Sequence, residues 1–182
     1  MWELLLLGLL APAAGGSSSA VTLNIAVHPG GVAHVHAVLT LPANPAVVHA
    51  VLTDYPHWPL LFPNGLRIVA IQQEKDGVQT DLYLRRHFLP GELHLVTLTR
   101  EAAPGILETS LVDGDFYQYR RTWTLTPGLS SCETHAELAM DIQPKQGLPG
   151  WLFTFLLRRE LLAHFDKLTA EVQFRNSAVA PQ

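Results

Sequence analysis

Apolar and polar residues alternate with a period of two along much of this chain, and turn signals punctuate the alternation. Val21 to Val27 and Val32 to Thr40 are extended, β-branched runs on either side of His28-Pro29-Gly30-Gly31, which predicts a hairpin. From Leu66 onward each break carries a glycine: Asp76-Gly77, Pro90-Gly91, Pro104-Gly105, Asp113-Gly114 and Pro127-Gly128. These breaks delimit Leu66–Gln73, Val78–Leu89, Glu92–Arg100, Ile106–Val112, Phe116–Thr126 and Cys132–Ile142, a meander of antiparallel strands. In the last run Cys132, Thr134, Ala136, Leu138, Met140 and Ile142 alternate with Glu133, His135, Glu137 and Asp141. One face of the sheet is therefore expected to be buried and the other wet.

Two stretches change to a helical period. Asn44 is a good N-cap, Pro45 suits a first helical position, and Val47, Val48, Val51 and Leu52 recur at helical spacing. They predict a helix from Pro45 to about Thr53, ended at Asp54-Tyr55-Pro56 because the residue before proline is pushed out of the α region. His57 to Pro63 has room for one more helical turn at most. The single long helix runs from Pro149 to about Phe174, with Leu157, Leu161, Phe165, Leu168 and Val172 on one stripe. Its opening, Trp151, Leu152, Phe153, Phe155, Leu156 and Leu157, is apolar nearly all round. Together with Trp58, Leu60, Leu61 and Phe62 it can form a greasy gate that touches a membrane, or it can be ordinary core. Residues 176–182 are expected to be a disordered tail.

The predicted fold class is α+β: a curved antiparallel sheet wrapped around a long C-terminal helix, with two short helices after the first core strand. Only the last helix is large enough to cover the apolar face of the sheet. A curved sheet gripping one helix leaves a gap lined by apolar side chains, a natural ligand cavity.

Composition narrows the choices. The chain of 182 residues favours one domain, and 15% charged against 48% hydrophobic residues excludes disorder for most of it. A formal charge of −4 argues against a partner held through nucleic-acid phosphates. The lone cysteine excludes a disulfide framework and a multi-cysteine zinc site. No apolar run reaches the roughly 18–20 residues of a transmembrane helix. Residues 1–14 follow signal-peptide grammar, with apolar Leu4 to Leu10 and then Ala11-Pro12-Ala13, although Glu3 stands where a basic residue is usual. Export, to a periplasm, is the expectation; a frayed N-terminus of a cytoplasmic protein is the alternative. Residues 15–31 would be a flexible start and the first hairpin strand.

Several motifs carry a family resemblance. Val47-Val48-His49-Ala50-Val51-Leu52-Thr53-Asp54-Tyr55, followed by Pro59 and Phe62-Pro63-Asn64, resembles the Asp-Tyr helix motif of the START-like (SRPBCC) superfamily. Asp113-Gly114-Asp115-Phe116, Tyr119 and Trp123 resemble a strand pair of its exported bacterial members, as do Thr134 in the last strand and Leu148-Pro149 before the final helix. The resemblance covers about residues 32–174, within a domain placed at 32–175. It extends to polyketide cyclase/dehydrase and coenzyme Q-binding proteins. It implies a helix-grip fold with an internal hydrophobic cavity, and it does not imply one reaction.

The candidate ligand-cavity residues are Tyr55, Trp58, Phe62, Leu84, Arg86, Tyr119, Arg121, Trp123, Leu138, Met140, Phe153, Leu157 and Leu161. If Trp123 and Leu125 face inward, strand alternation turns Tyr117, Tyr119 and Arg121 inward too. Arg121 can then hold a carboxylate, a phosphate or a quinone oxygen; a bulge would instead release it to water. Arg86, alternating with Leu82, Leu84 and Phe88, poses the same choice. A tight turn at Pro90-Gly91 would pair His87 with His94, while His34 and His36 share a strand face, and solvent exposure is the simpler reading of both pairs. Asp113-Gly114-Asp115 reads as a turn rather than a calcium loop. Asp54 and Tyr55 can serve as base and acid, but a structural role at the helix end and cavity mouth is the plainer reading. Cys132 is expected to be an inert core thiol. No catalytic residue, metal or cofactor is assigned. The expected activity is binding or transport of a lipid, quinone or isoprenoid-like molecule, with transient membrane contact and no nucleic-acid partner. The alternatives are a cyclase/dehydratase-type enzyme using the same cavity, and a ligand-free protein-interaction module recruiting by strand addition.

Overall fold

A computed structural model describes residues 21–62, 65–85 and 91–179. The first pair of strands, β1 (Val21–Val27) and β2 (Ala33–Leu41), is the predicted hairpin. Helix α1 (Pro45–Leu52) follows, and the Asn44 side chain accepts from Val47 N at 3.1 Å as an N-cap should. A 3-10 helix, Tyr55–Leu61, comes next and is longer than the single turn expected. The meander then runs through β3 (Leu66–Glu74), β4 (Gly77–Arg85), β5 (Glu92–Ala103), β6 (Ile106–Gly114), β7 (Phe116–Pro127) and β8 (Thr134–Pro144). Helix α2 (Gly150–Val179) closes the chain.

All eight strands form one antiparallel sheet in the order β1-β2-β8-β7-β6-β5-β4-β3. The hairpin thus joins the last strand of the meander rather than the first. Alternation on β8 is as predicted, with Thr134, Ala136, Leu138, Met140 and Ile142 buried. Buried Thr134 donates from Oγ1 to Ala43 O at 2.6 Å, tying β8 to the segment before α1. The stripe of α2 buries Leu161, Phe165, Leu168 and Val172, and each apolar side chain so buried is worth about 1.5–3 kcal/mol. The backbone of α2 approaches β1, β2, α1 and the 3-10 helix closely. Its side chains face β4, β5, β7 and β8 across a gap.

Four local expectations are corrected. In the register of β4 on β5, Tyr83 pairs with His94, Leu84 with Leu93 and Arg85 with Glu92. His94 therefore does not pair with His87, and its Nε2 hydrogen-bonds Asp81 Oδ1 at 2.8 Å. A β-bulge between Phe116 and Gln118 shifts the parity of β7. Phe116 is buried as a result, and Tyr117, expected inside, is 67% exposed. Cys132 is exposed because the turn after β7 extends through it and β8 begins only at Thr134. Helix α2 continues to Val179, past Phe174, and takes in residues 176–179 of the expected tail, where Asn176 Nδ2 donates to Pro42 O at 3.2 Å.

Candidate functional site

A cavity of about 570 Å³ lies between the sheet and the first half of α2. Phe62 (after the 3-10 helix), Leu84 (β4), Tyr119, Arg121 and Trp123 (β7), and Leu138 and Met140 (β8) line one side. Phe153, Leu157 and Leu161 line the other from α2. All ten of these positions are among the candidate cavity residues named from the sequence. Phe116, Leu93, Ile142 and Leu156 join them. Exposed Gly65, Arg85, Gln146 and Gly147 mark the mouth, while deeply buried Trp123, Leu138 and His164 mark the inner end.

Of the three remaining candidate positions, two fall elsewhere and one is not described. Arg86 lies outside the described residues, as do residues 1–14, Pro63, Asn64 and His87. Tyr55 is buried off the cavity rather than at its mouth. In a 3-10 helix residues three apart eclipse, so Tyr55, Trp58 and Leu61 share one buried face. The Tyr55 and Trp58 rings meet edge to face at 4.9 Å. Trp58 sits behind the wall, with its ring 5.2 Å beneath the Arg121 guanidinium and its Nε1 donating to Leu52 O at 3.0 Å. Of the suggested gate, Trp58 and Leu61 are interior, Phe62 lines the cavity, and Leu60 is exposed.

The inner end is polar on one side. Arg121 is half-buried, and its Nη2 donates to Thr109 Oγ1 at 3.3 Å. Thr109 shares a hydrogen bond with Thr99 at 3.0 Å. Burial pushes the Tyr55 phenol up, against the opposing influence of the Arg121 charge and the Thr99 hydroxyl. Arg121 Nε and Trp123 Nε1 are buried and have no acceptor among the described residues.

His164 on α2 was missed by sequence reasoning. Its Nδ1 donates to Leu61 O at 2.9 Å, and its ring stacks on Phe62 at 4.6 Å. Burial lowers its pKa to about 4, against the Leu61 hydrogen bond and with help from the Arg121 charge. The ring is therefore neutral near pH 7, with Nε2 left as an acceptor.

The proposed acid–base pair does not assemble on this cavity. Asp54 does not line it. Its Oδ2 accepts from Arg175 Nη2 at 2.6 Å and its Oδ1 from His57 Nδ1 at 2.8 Å. Burial alone would raise its pKa, but those two bonds and their charges hold it below the usual value. Asp113 Oδ1 accepts from Gly114 N, and Asp115 Oδ2 from His94 N, both at 2.8 Å, so both serve the turn. His34 and His36 are exposed and bond Asp141 and Glu137 across β2 and β8. No group of three metal-ligating side chains forms among the described residues.

An antiparallel sheet gripping one long helix around an apolar cavity defines a helix-grip protein of the START-like class. Residues 41–165 match the family of polyketide cyclase / dehydrase and lipid transport proteins, and the chain belongs to that family. No curated protein matches it in sequence. Three solved structures place it among its folds. A START superfamily protein from Mycobacterium smegmatis is 19% identical with a TM-score of 0.62, over 77% of this chain and 97% of that one. The Zhui aromatase/cyclase from Streptomyces sp. R1128 is 14% identical with a TM-score of 0.65, over 79% and 95%. A STAR-related lipid transfer protein from Xanthomonas axonopodis is 15% identical with a TM-score of 0.63, over 83% and 98%. At such identities the likeness is one of fold.

Proposed function

We propose that this protein binds and carries a lipid, quinone or isoprenoid-like molecule between its sheet and its C-terminal helix. The observation that carries this reading is the apolar cavity itself, whose 570 Å³ lies within the range that encloses a small-molecule ligand. A preformed apolar space takes up such a ligand by partition, and a few polar groups orient it. The family's lipid-transport members agree with a carrier, and Asp54 and Tyr55 standing off the cavity disfavour the acid–base enzyme reading.

Transient membrane contact and export belong to the same proposal. Trp151 and Phe155 lie one turn apart on α2 and are 75% and 58% exposed, as suits an interfacial anchor beside the mouth. Flotation with lipid vesicles tests that contact. The leader-like pattern of residues 1–14 supports export.

Native mass spectrometry of the protein purified from its own organism, followed by solvent extraction, tests the carrier. A bound apolar molecule is expected, and the polypeptide mass reports whether the leader has been removed. An empty, folded protein would overturn the carrier reading.

A further inference from the structure

The polar end of the cavity holds more hydrogen-bond donors than acceptors. Arg121 and Trp123 are two apart on β7, so their side chains leave the same face of the sheet. Trp123 is 2% exposed, yet its Nε1 has no acceptor among the described residues. Arg121 Nε is in the same condition, and among the described residues the guanidinium's one hydrogen bond to a side chain goes to the neutral hydroxyl of Thr109. Buried donors are nearly always paired, so two neighbouring exceptions call for an acceptor.

Charge says what kind. Arg121 makes no ion pair among the described residues. His164, which shares the inner end, offers it no charge. The described cavity wall carries two arginines, Arg85 at the mouth and Arg121 inside, against one carboxylate, Glu160 on α2. Its balance is positive in a protein whose formal charge is −4. A cation drawn out of water without a counterion is unfavourable, and a ligand that supplies the countercharge relieves it. A neutral ketone or quinone oxygen would leave that charge unbalanced. A phosphate dianion would exceed the one guanidinium at the inner end. A carboxylate matches both the single charge and the two donors, one oxygen for each.

We propose that the ligand is an apolar monocarboxylate, its carboxylate held by Arg121 and Trp123 at the inner end and its hydrocarbon running toward the mouth past Leu157 and Phe153. This rests on the carrier reading above and deepens it. The chemistry at Arg121 is the same whether the carboxylate sits on a fatty chain or on an isoprenoid skeleton.

The test is displacement of Nile red, an uncharged apolar dye, from the full-length protein by palmitate, retinoate and the methyl ester of each, with the acids ionised. At least one acid should displace the dye at about tenfold lower concentration than its own ester, the usual scale of one hydrogen bond to a charged group. The better acid names the skeleton. Arg121→Met should erase the acid's advantage over its own ester, and Trp123→Phe should reduce that advantage several-fold. If Arg121→Met fails to fold, Trp123→Phe and the acid–ester comparison on the unaltered protein still decide. Dye that binds but is displaced equally by acid and ester overturns the head-group assignment and leaves the carrier reading standing. Dye that never binds overturns both.

Discussion

His164 shows how one buried side chain sets a pH dependence. Its ring is 7% exposed and neutral in the folded protein, with a pKa lowered to about 4 from 6.5. In the unfolded chain it takes a proton below about pH 6.5. Between those values the unfolded state binds more protons, so stability falls as the pH falls. The full loss is roughly 3 kcal/mol, reached near pH 4 and not growing below it. Denaturant unfolding of the wild type and of His164→Asn, whose amide can still donate to Leu61 O, isolates this contribution: the variant should lack that part of the slope. Parallel slopes would show that His164 does not titrate as its burial requires. The position was legible, because 164 stands three after Leu161 and four before Leu168 on the apolar stripe. Its meaning was not, since a histidine on such a face has no sequence signature apart from the carbonyl it meets. Arg121 was legible by period two, with water as the open alternative. Tyr117 was misread because one bulged residue inverts the parity of everything before it.

At the scale of elements, turn chemistry explains both the successes and the misses. Gly114 has a φ of +122°, which a side chain rarely tolerates, and a Cβ there would stand 2.4 Å from His94 O. The glycine marked the turn, but neither the bulge beyond it nor the register of β4 on β5 is written in a dipeptide. The junction of α1 with the 3-10 helix was likewise visible as Asp54-Tyr55-Pro56, whereas its partner, 121 residues along the chain, was not. Arg175 joins that junction to α2 by holding Asp54 at 2.6 Å and Glu171 at 2.7 Å. Arg175→Met is expected to lose roughly 1–2 kcal/mol near neutral pH, the scale of a partly buried charged hydrogen bond. The folded Asp54 pKa is depressed, so its stabilisation is present above about pH 4 and is lost as the pH falls through the folded value. The gap between wild type and variant in denaturant unfolding should therefore close in acid. An equal gap at neutral and acid pH would show that Arg175 acts through packing and not through the Asp54 charge.

Across the whole molecule, the same feature that makes a site also weakens the fold. The sheet and α2 approach closely at β1 and β2, and the cavity occupies the span where they do not. Side chains around an unfilled space lose contacts on that side, so a fold optimised only for stability would close the gap. Sequence alternation could say that an apolar face and an apolar helix meet, because both patterns are local. It could not give the distance between them, which is set by the curvature of eight strands and by where the 3-10 helix meets α2 at His164. Leu157 faces the cavity from α2 and is half-buried, so a larger side chain there projects into open volume rather than into packed neighbours. Leu157→Trp is therefore expected to raise stability by about 0.5–2 kcal/mol, the usual gain from filling a cavity, and to abolish uptake of an apolar dye. Denaturant unfolding and dye titration on the same preparation measure both. A variant that is stabilised and still binds would place the ligand elsewhere. One that is destabilised would mean that the gap is already closed by packing. Stability rising as binding disappears is the outcome expected if the ligand occupies the open volume that Leu157 faces.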